Sequence, residues 1–202
     1  SRYREALAQF EGALRGYAAH YGPRSHPVAS QLAQMGACFT GLGQYERAGR
    51  YLEQALSSVE FDPDRRHPFE GYEAWRRPLA EMLFFKALNH QRTYMASSDA
   101  THLAQAGVFF SLCTSLIELI SNNLEDSGAK PYLLDDFYYV FEGAIHNCYL
   151  RYQLPGGLQH LEEAFAYAER SKAILLKEAV RKAGAETRTG LPPQLLVRYR
   201  EL

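Results

Sequence analysis

Apolar residues recur along this chain at intervals of three and four, and nowhere do they alternate strictly with polar ones as a half-buried strand requires. In the first stretch Tyr3, Ala6, Phe10, Ala13 and Leu14 share one helical face. A second stretch repeats the series in register as Tyr45, Ala48, Leu52, Ala55 and Leu56, each 42 residues after its counterpart. The helix ahead of it carries Leu32, Met35, Gly36 and Phe39 as its buried stripe, with Gly36 the small residue that two closely crossing helices need. Gly41-Leu42-Gly43-Gln44 makes the turn between the two, and Tyr45 opens the partner helix. Further on, Phe61 to Pro68 breaks the chain before a helix over residues 73–94 that carries Trp75, Leu79, Leu83, Phe84 and Leu88. Ser97-Ser98-Asp99 is a cap signal for a helix over 100–122, and Ser127 to Pro131 breaks again. Helices over 133–153 and 158–182 follow, joined by Leu154-Pro155-Gly156-Gly157. Antiparallel helices joined by short loops predict an all-α array of helical hairpins.

The small-and-large series, with Gly36 facing Ala48 and Ala55, resembles the tetratricopeptide (TPR) pattern. Its spacing is longer than the usual period of about 34. The stretch Tyr21-Gly22-Pro23-Arg24-Ser25-His26-Pro27 is similar to the joint of an extended TPR variant. The fold expected from the resemblance is a TPR-like α-solenoid over residues 1–184. Its units fall at about 1–20 (a second helix without its first), 28–60, 73–124 and 132–184, followed by a joint over 185–202.

A narrower resemblance lies in the C-terminal third. Leu116-Ile117-Glu118-Leu119, the run Tyr138 to Ile145 and the run Leu161 to Glu178 look like the last TPR units of bacterial CHAT proteins (Caspase HetF Associated with TPRs). Thr189-Gly190-Leu191-Pro192-Pro193-Gln194-Leu195-Leu196 is similar to the joint that leads to the CHAT domain in that family. The domain is a cysteine peptidase with a His/Cys dyad, expected beyond Leu202, so no catalytic residue carries over to this chain. The resemblance implies a non-catalytic regulatory scaffold that docks a protein or peptide and contacts its own C-terminal CHAT domain. Glu169 and Lys172 belong to that motif and read from spacing alone as a surface i,i+3 pair.

Composition excludes several other classes. A net charge of −1 without a basic stripe argues against a nucleic-acid binder. Cys38, Cys113 and Cys148 are scattered in apolar stretches, which predicts core packing rather than a zinc ribbon or redox dithiol. No run approaches the ~18 apolar residues of a membrane span, so no membrane contact is expected. With no signal peptide visible the expected location is cytoplasmic.

Reactive groupings are few. His146 and Cys148 stand two apart on a helix and point away from each other, and no two histidines are three or four apart to chelate a metal, so neither metal nor cofactor is expected. Asp135-Asp136 and Glu162-Glu163 read as solvated acids, and the glycine pairs lack the preceding strand of a phosphate cradle. The partner-binding candidates are therefore surface positions. In TPR arrays the first helix of each unit lines the groove, which places Ser30, Ala33, Ala37 and Thr40 there. These uncharged residues do not form a lysine/asparagine carboxylate clamp, and they suit an extended peptide held by shape and hydrogen bonds. Within Phe137-Tyr138-Tyr139 and Phe141, two aromatics are expected to face the core, leaving others such as Tyr138 for the groove. Arg76 and Arg77, with Arg65-Arg66 near Trp75, form either solvated charge or a docking spot for an acidic peptide or phosphate. Two other classes compete: a self-association module, favoured by the unpaired first helix, and a helical bundle that binds a small ligand.

Overall fold

The computed structural model describes residues 2–127 and 137–188. The described residues form seven α-helices and no strand: α1 (Arg2–Tyr21), α2 (His26–Gly41), α3 (Tyr45–Ser58), α4 (Arg76–Ser97), α5 (Ala100–Ser127), α6 (Tyr138–Tyr152) and α7 (Gln159–Arg188). A single 3-10 turn, Glu73–Trp75, leads into α4. The chain is all-α, as the three-and-four periodicity requires. The last helix extends to Arg188, so the joint expected from residue 185 begins inside a helix. Residues 133–136 of the expected sixth helix, Asp135-Asp136 and the rest of the joint lie outside the described residues.

Local signals account for the helix ends. Gly43 takes φ +73 in the turn between α2 and α3, a conformation that costs glycine nothing. Ser98 closes α4 in the left-handed region, and Asp99 then caps α5 by accepting from the Thr101 backbone N–H at 3.0 Å. The break after α3 is packed down rather than looped out. Phe61 and Tyr72 are both buried with their rings 6.0 Å apart, and the Tyr72 hydroxyl donates to Val59 O at 2.6 Å.

Each helix packs mainly on its neighbours in the chain, and α4 also packs on both α2 and α6. The α2–α3 crossing is the closest-fitted contact. Ala48, Leu52 and Ala55 have no exposed surface, and the bare face of Gly36 lies against Leu52 and the Ala48 carbonyl. Gly143 plays the same part on α6, where a Cβ would sit 2.7 Å from the Phe110 ring. The largest core cluster runs from Val28 through Leu83 and Ile117 to Phe141 and Ile174, so one continuous interior joins α2 to α7.

One expectation from the sequence is corrected here. Residues Ala100–Asn122 of α5 are long and apolar enough to cross a membrane by length and composition. The polar residues Thr101, His102, Gln105, Ser111, Thr114, Ser115 and Glu118 are spread along that stretch and break any continuous apolar run, which hides the average from inspection. In the fold α5 lies between α4 and α6, and Leu103, Ala106, Phe110, Cys113, Leu116 and Ile117 are buried, as in a core helix.

Candidate functional site

The residues expected to line a groove on α2 divide into two sets. Ser30 and Ala37 are half-buried, while Ala33 and Thr40 are buried. The Thr40 hydroxyl lies 2.9 Å from Asn89 Oδ1 of α4, and Asn89 Nδ2 donates to Tyr45 O at 3.2 Å. Ala33 and Thr40 are thus removed from the candidate surface, because α4 covers that flank of α2. The half-buried stripe that remains is Ser30, Gln34 and Ala37.

The expected basic cluster is also split. The Arg76 side chain is mostly buried, reaches Glu73 at 3.8 Å, and leaves Nε without a hydrogen-bond partner. Arg77 is exposed, with its guanidinium 5.6 Å from the centre of the Phe137 ring. Trp75 stacks on His26 at 4.3 Å, which pins the turn before α4 to the start of α2. Arg65 and Arg66 are exposed, and Arg66, His67 and Arg76 border a 480 Å3 hollow.

On α6 the aromatic run behaves as its spacing requires. Phe137 and Phe141 are buried, whereas Tyr138 and Tyr139 are exposed. Tyr139 meets Phe84 edge to face at 4.6 Å, and burial, then the charge of Glu81, pushes its phenol up to about 12. On α4, Arg77, Glu81, Leu88, Arg92 and Met95 recur on one stripe at helical spacing, half-buried or exposed. The Gln91 side-chain amide donates to His146 Nδ1 at 2.8 Å and ties this edge of α4 to α6. The open sides of α2, α4 and α6 therefore adjoin one another.

The other side of α4 floors a cleft of about 930 Å3 walled by α3 and the start of α5. Lys86, Asn89, His90, Thr93 and Ser97 line it from α4, Glu46, Arg47, Arg50 and Glu53 from α3, and His102 from α5. Lys86 is buried, and its ammonium donates to Glu53 Oε1 at 3.0 Å. His90 and His102 bring their Nδ1 atoms to 3.1 Å, with His90 stacked on Phe109 at 5.8 Å. Burial first, then the charge of Lys86, lowers His90 to about 4, so it is neutral at neutral pH. These two histidines are twelve apart in sequence and meet only because the α4–α5 hairpin folds back. Among the described residues no three metal-ligating side chains gather.

A second grouping surrounds Glu163 on α7, with Arg151 and Cys148 brought across from α6 and His160 three residues back on the same helix. Its Oε2 accepts from Arg151 Nη1 at 2.9 Å, lies 3.1 Å from His160 Nδ1 without the alignment of a hydrogen bond, and lies 3.8 Å from the Cys148 thiol. Burial, reinforced by the Glu163 charge, pushes that thiol up to about 11. A thiol so poised stays protonated and is not a nucleophile at neutral pH. His146, its neighbour in sequence, is instead occupied by Gln91.

No protein-family model, curated protein or solved structure matches this chain.

Proposed function

We propose that this chain is a non-catalytic, TPR-like α-solenoid segment that binds a protein or peptide on the surface shared by α2, α4 and α6. The supporting observation is the packing order, in which α2–α4 and α4–α6 contacts supplement those between chain neighbours. Such an order stacks helical hairpins side by side and leaves one face of alternate helices unroofed. That face offers the exposed rings of Tyr138 and Tyr139 with Arg77 near them, and exposed Arg92 and half-buried Leu88 further along α4, the mixture of aromatic and arginine anchors that carries most binding energy in protein interfaces. Extended by the CHAT resemblance, the same reading makes the segment a docking and regulatory element for a peptidase domain carried by the same polypeptide.

A random-peptide display selection on the immobilised chain tests this. Enriched peptides are expected to lose about tenfold or more in affinity on Tyr138→Ala/Tyr139→Ala. A selection without enrichment, or peptides indifferent to both substitutions, overturns the proposal.

A second reading, self-association, is favoured by α7. Phe165, Leu176 and Val180 are each about two-thirds exposed on that helix, an apolar stripe that a second copy of the chain would cover. Sedimentation velocity at rising concentration distinguishes the two. A species that stays monomeric throughout sinks self-association, and a dimer abolished by Phe165→Glu/Leu176→Glu supports it.

A further inference from the structure

The cleft on the far side of α4 has a chemistry of its own. Arg47 and Arg50 stand one turn apart on α3, both exposed, and neither forms an ion pair with a described residue. The Arg47 guanidinium lies 4.1 Å over the Phe39 ring, a contact with its flat face that leaves its N–H edge to donate. Lys86 is only 5% exposed, and an ammonium taken out of water needs an anionic partner. That partner, Glu53, is 70% exposed and reaches in from the solvent edge. A carboxylate so lightly held can be exchanged for another, and the ammonium has three donors to offer.

The floor supplies the opposite polarity. The hydroxyls of Thr93 and Ser97, one turn apart, donate to the carbonyls of Asn89 and Thr93 at 2.8 Å each. Their protons are thereby committed, so toward the cleft their oxygens act as acceptors, with both lone pairs open on Thr93 and one on Ser97, whose oxygen already accepts from the Asp99 N–H at 3.2 Å. Cations for carboxylates beside acceptors for N–H groups match a peptide chain. A lone phosphate has no N–H to give the acceptors and would fill a small part of about 930 Å3.

We propose that this cleft binds an extended acidic peptide segment. Arg47, Arg50 and Lys86 take its carboxylates, Thr93 and Ser97 accept from its backbone N–H groups, and Glu53 leaves Lys86 as the peptide enters. The cleft and the surface shared by α2, α4 and α6 lie on opposite sides of α4, so each proposal stands or falls separately.

The test is a fluorescence-anisotropy titration of the whole chain with a fluorescein-labelled octapeptide of alternating glutamate and alanine. Saturable binding is expected, weakened about tenfold by Arg47→Ala/Arg50→Ala as charge-assisted contacts are lost. Arg47 also covers the Phe39 ring, so Arg50→Ala alone is the second variant, and an unchanged circular dichroism spectrum and urea midpoint check that each variant keeps the fold. Glu53→Gln is expected to tighten binding several-fold, because the competing carboxylate is gone, and a merely structural role for Glu53 has no reason to do so. Tyr138→Ala/Tyr139→Ala should leave the affinity unchanged. Equal binding of the matching lysine–alanine peptide, no effect of Arg47→Ala/Arg50→Ala, or weaker binding by Glu53→Gln each overturns the proposal. Displacement of the peptide by inorganic phosphate at matching concentration would reduce the cleft to a simple anion site and overturn it as well.

Discussion

Replacing Gly36 with alanine sets two effects of opposite sign against each other at the α2–α3 crossing. Alanine in place of glycine in a helix interior favours folding by about 1 kcal/mol through the backbone alone. The added methyl, however, would lie 2.7 Å from Leu52 Cγ, 2.9 Å from Leu52 Cδ2 and 3.3 Å from Ala48 O. Leu52 has no exposed surface, and the nearest atom is its branch point rather than a free end, so the side chain has nowhere to swing. Overpacking of this kind costs about 1–3 kcal/mol. The net expectation is a loss of about 1 kcal/mol once the backbone gain is subtracted. Gly12 on α1 supplies the control, since a Cβ there meets nothing within 4 Å. Gly12→Ala should stabilise by up to about 1 kcal/mol. The gap between the two variants, which removes the shared backbone effect, is then about 2 kcal/mol. Urea unfolding followed by circular dichroism measures both, with an unchanged m-value confirming that the denatured state is the same. A Gly36→Ala variant as stable as Gly12→Ala would refute the assignment of Gly36 to a tight crossing and the register of the whole repeat.

Other outcomes follow from the buried titratable groups. The pKa of His90 is lowered on folding from 6.5 to about 4, so in that window the unfolded chain binds more protons. Stability should therefore fall as pH drops from 6.5 toward 4, and His90→Gln should flatten that part of a pH series of urea midpoints. An unchanged slope would mean that His90 is open to water. The three cysteines are all free and buried. A thiol reagent should find no reactive group in the folded chain at pH 7 and three equivalents in denaturant, and fast modification of Cys148 in the folded state would contradict its burial beneath Glu163.

Much of the α2–α3 unit was legible before any coordinates. The 42-residue echo of Tyr3 in Tyr45 and Ala6 in Ala48 falls on two helices, α1 and α3, and Gly36 could be assigned to the crossing because only a small residue permits close approach. That two of the aromatics Phe137, Tyr138, Tyr139 and Phe141 face the core was legible too, while the structure decided that these are Phe137 and Phe141. The candidate surface was less legible. Ala33 and Thr40 share a stripe with Ser30 and Ala37 in sequence, yet the first pair is buried, Thr40 against Asn89 of α4, and the second is only half-buried.

The sequence by itself determined that this chain is helical, where its first hairpin turns, and which residues α2 and α3 each bring to their crossing. Those properties depend on residues within one or two turns of each other, and helical periodicity records them directly. Tertiary structure alone decided what lies beside each helix on its flanks. It brought His90 to His102, Lys86 to Glu53, and Arg151 and Cys148 to Glu163. Such meetings depend on how hairpins stack, and stacking is set by the shapes of whole packed surfaces that no local spacing encodes.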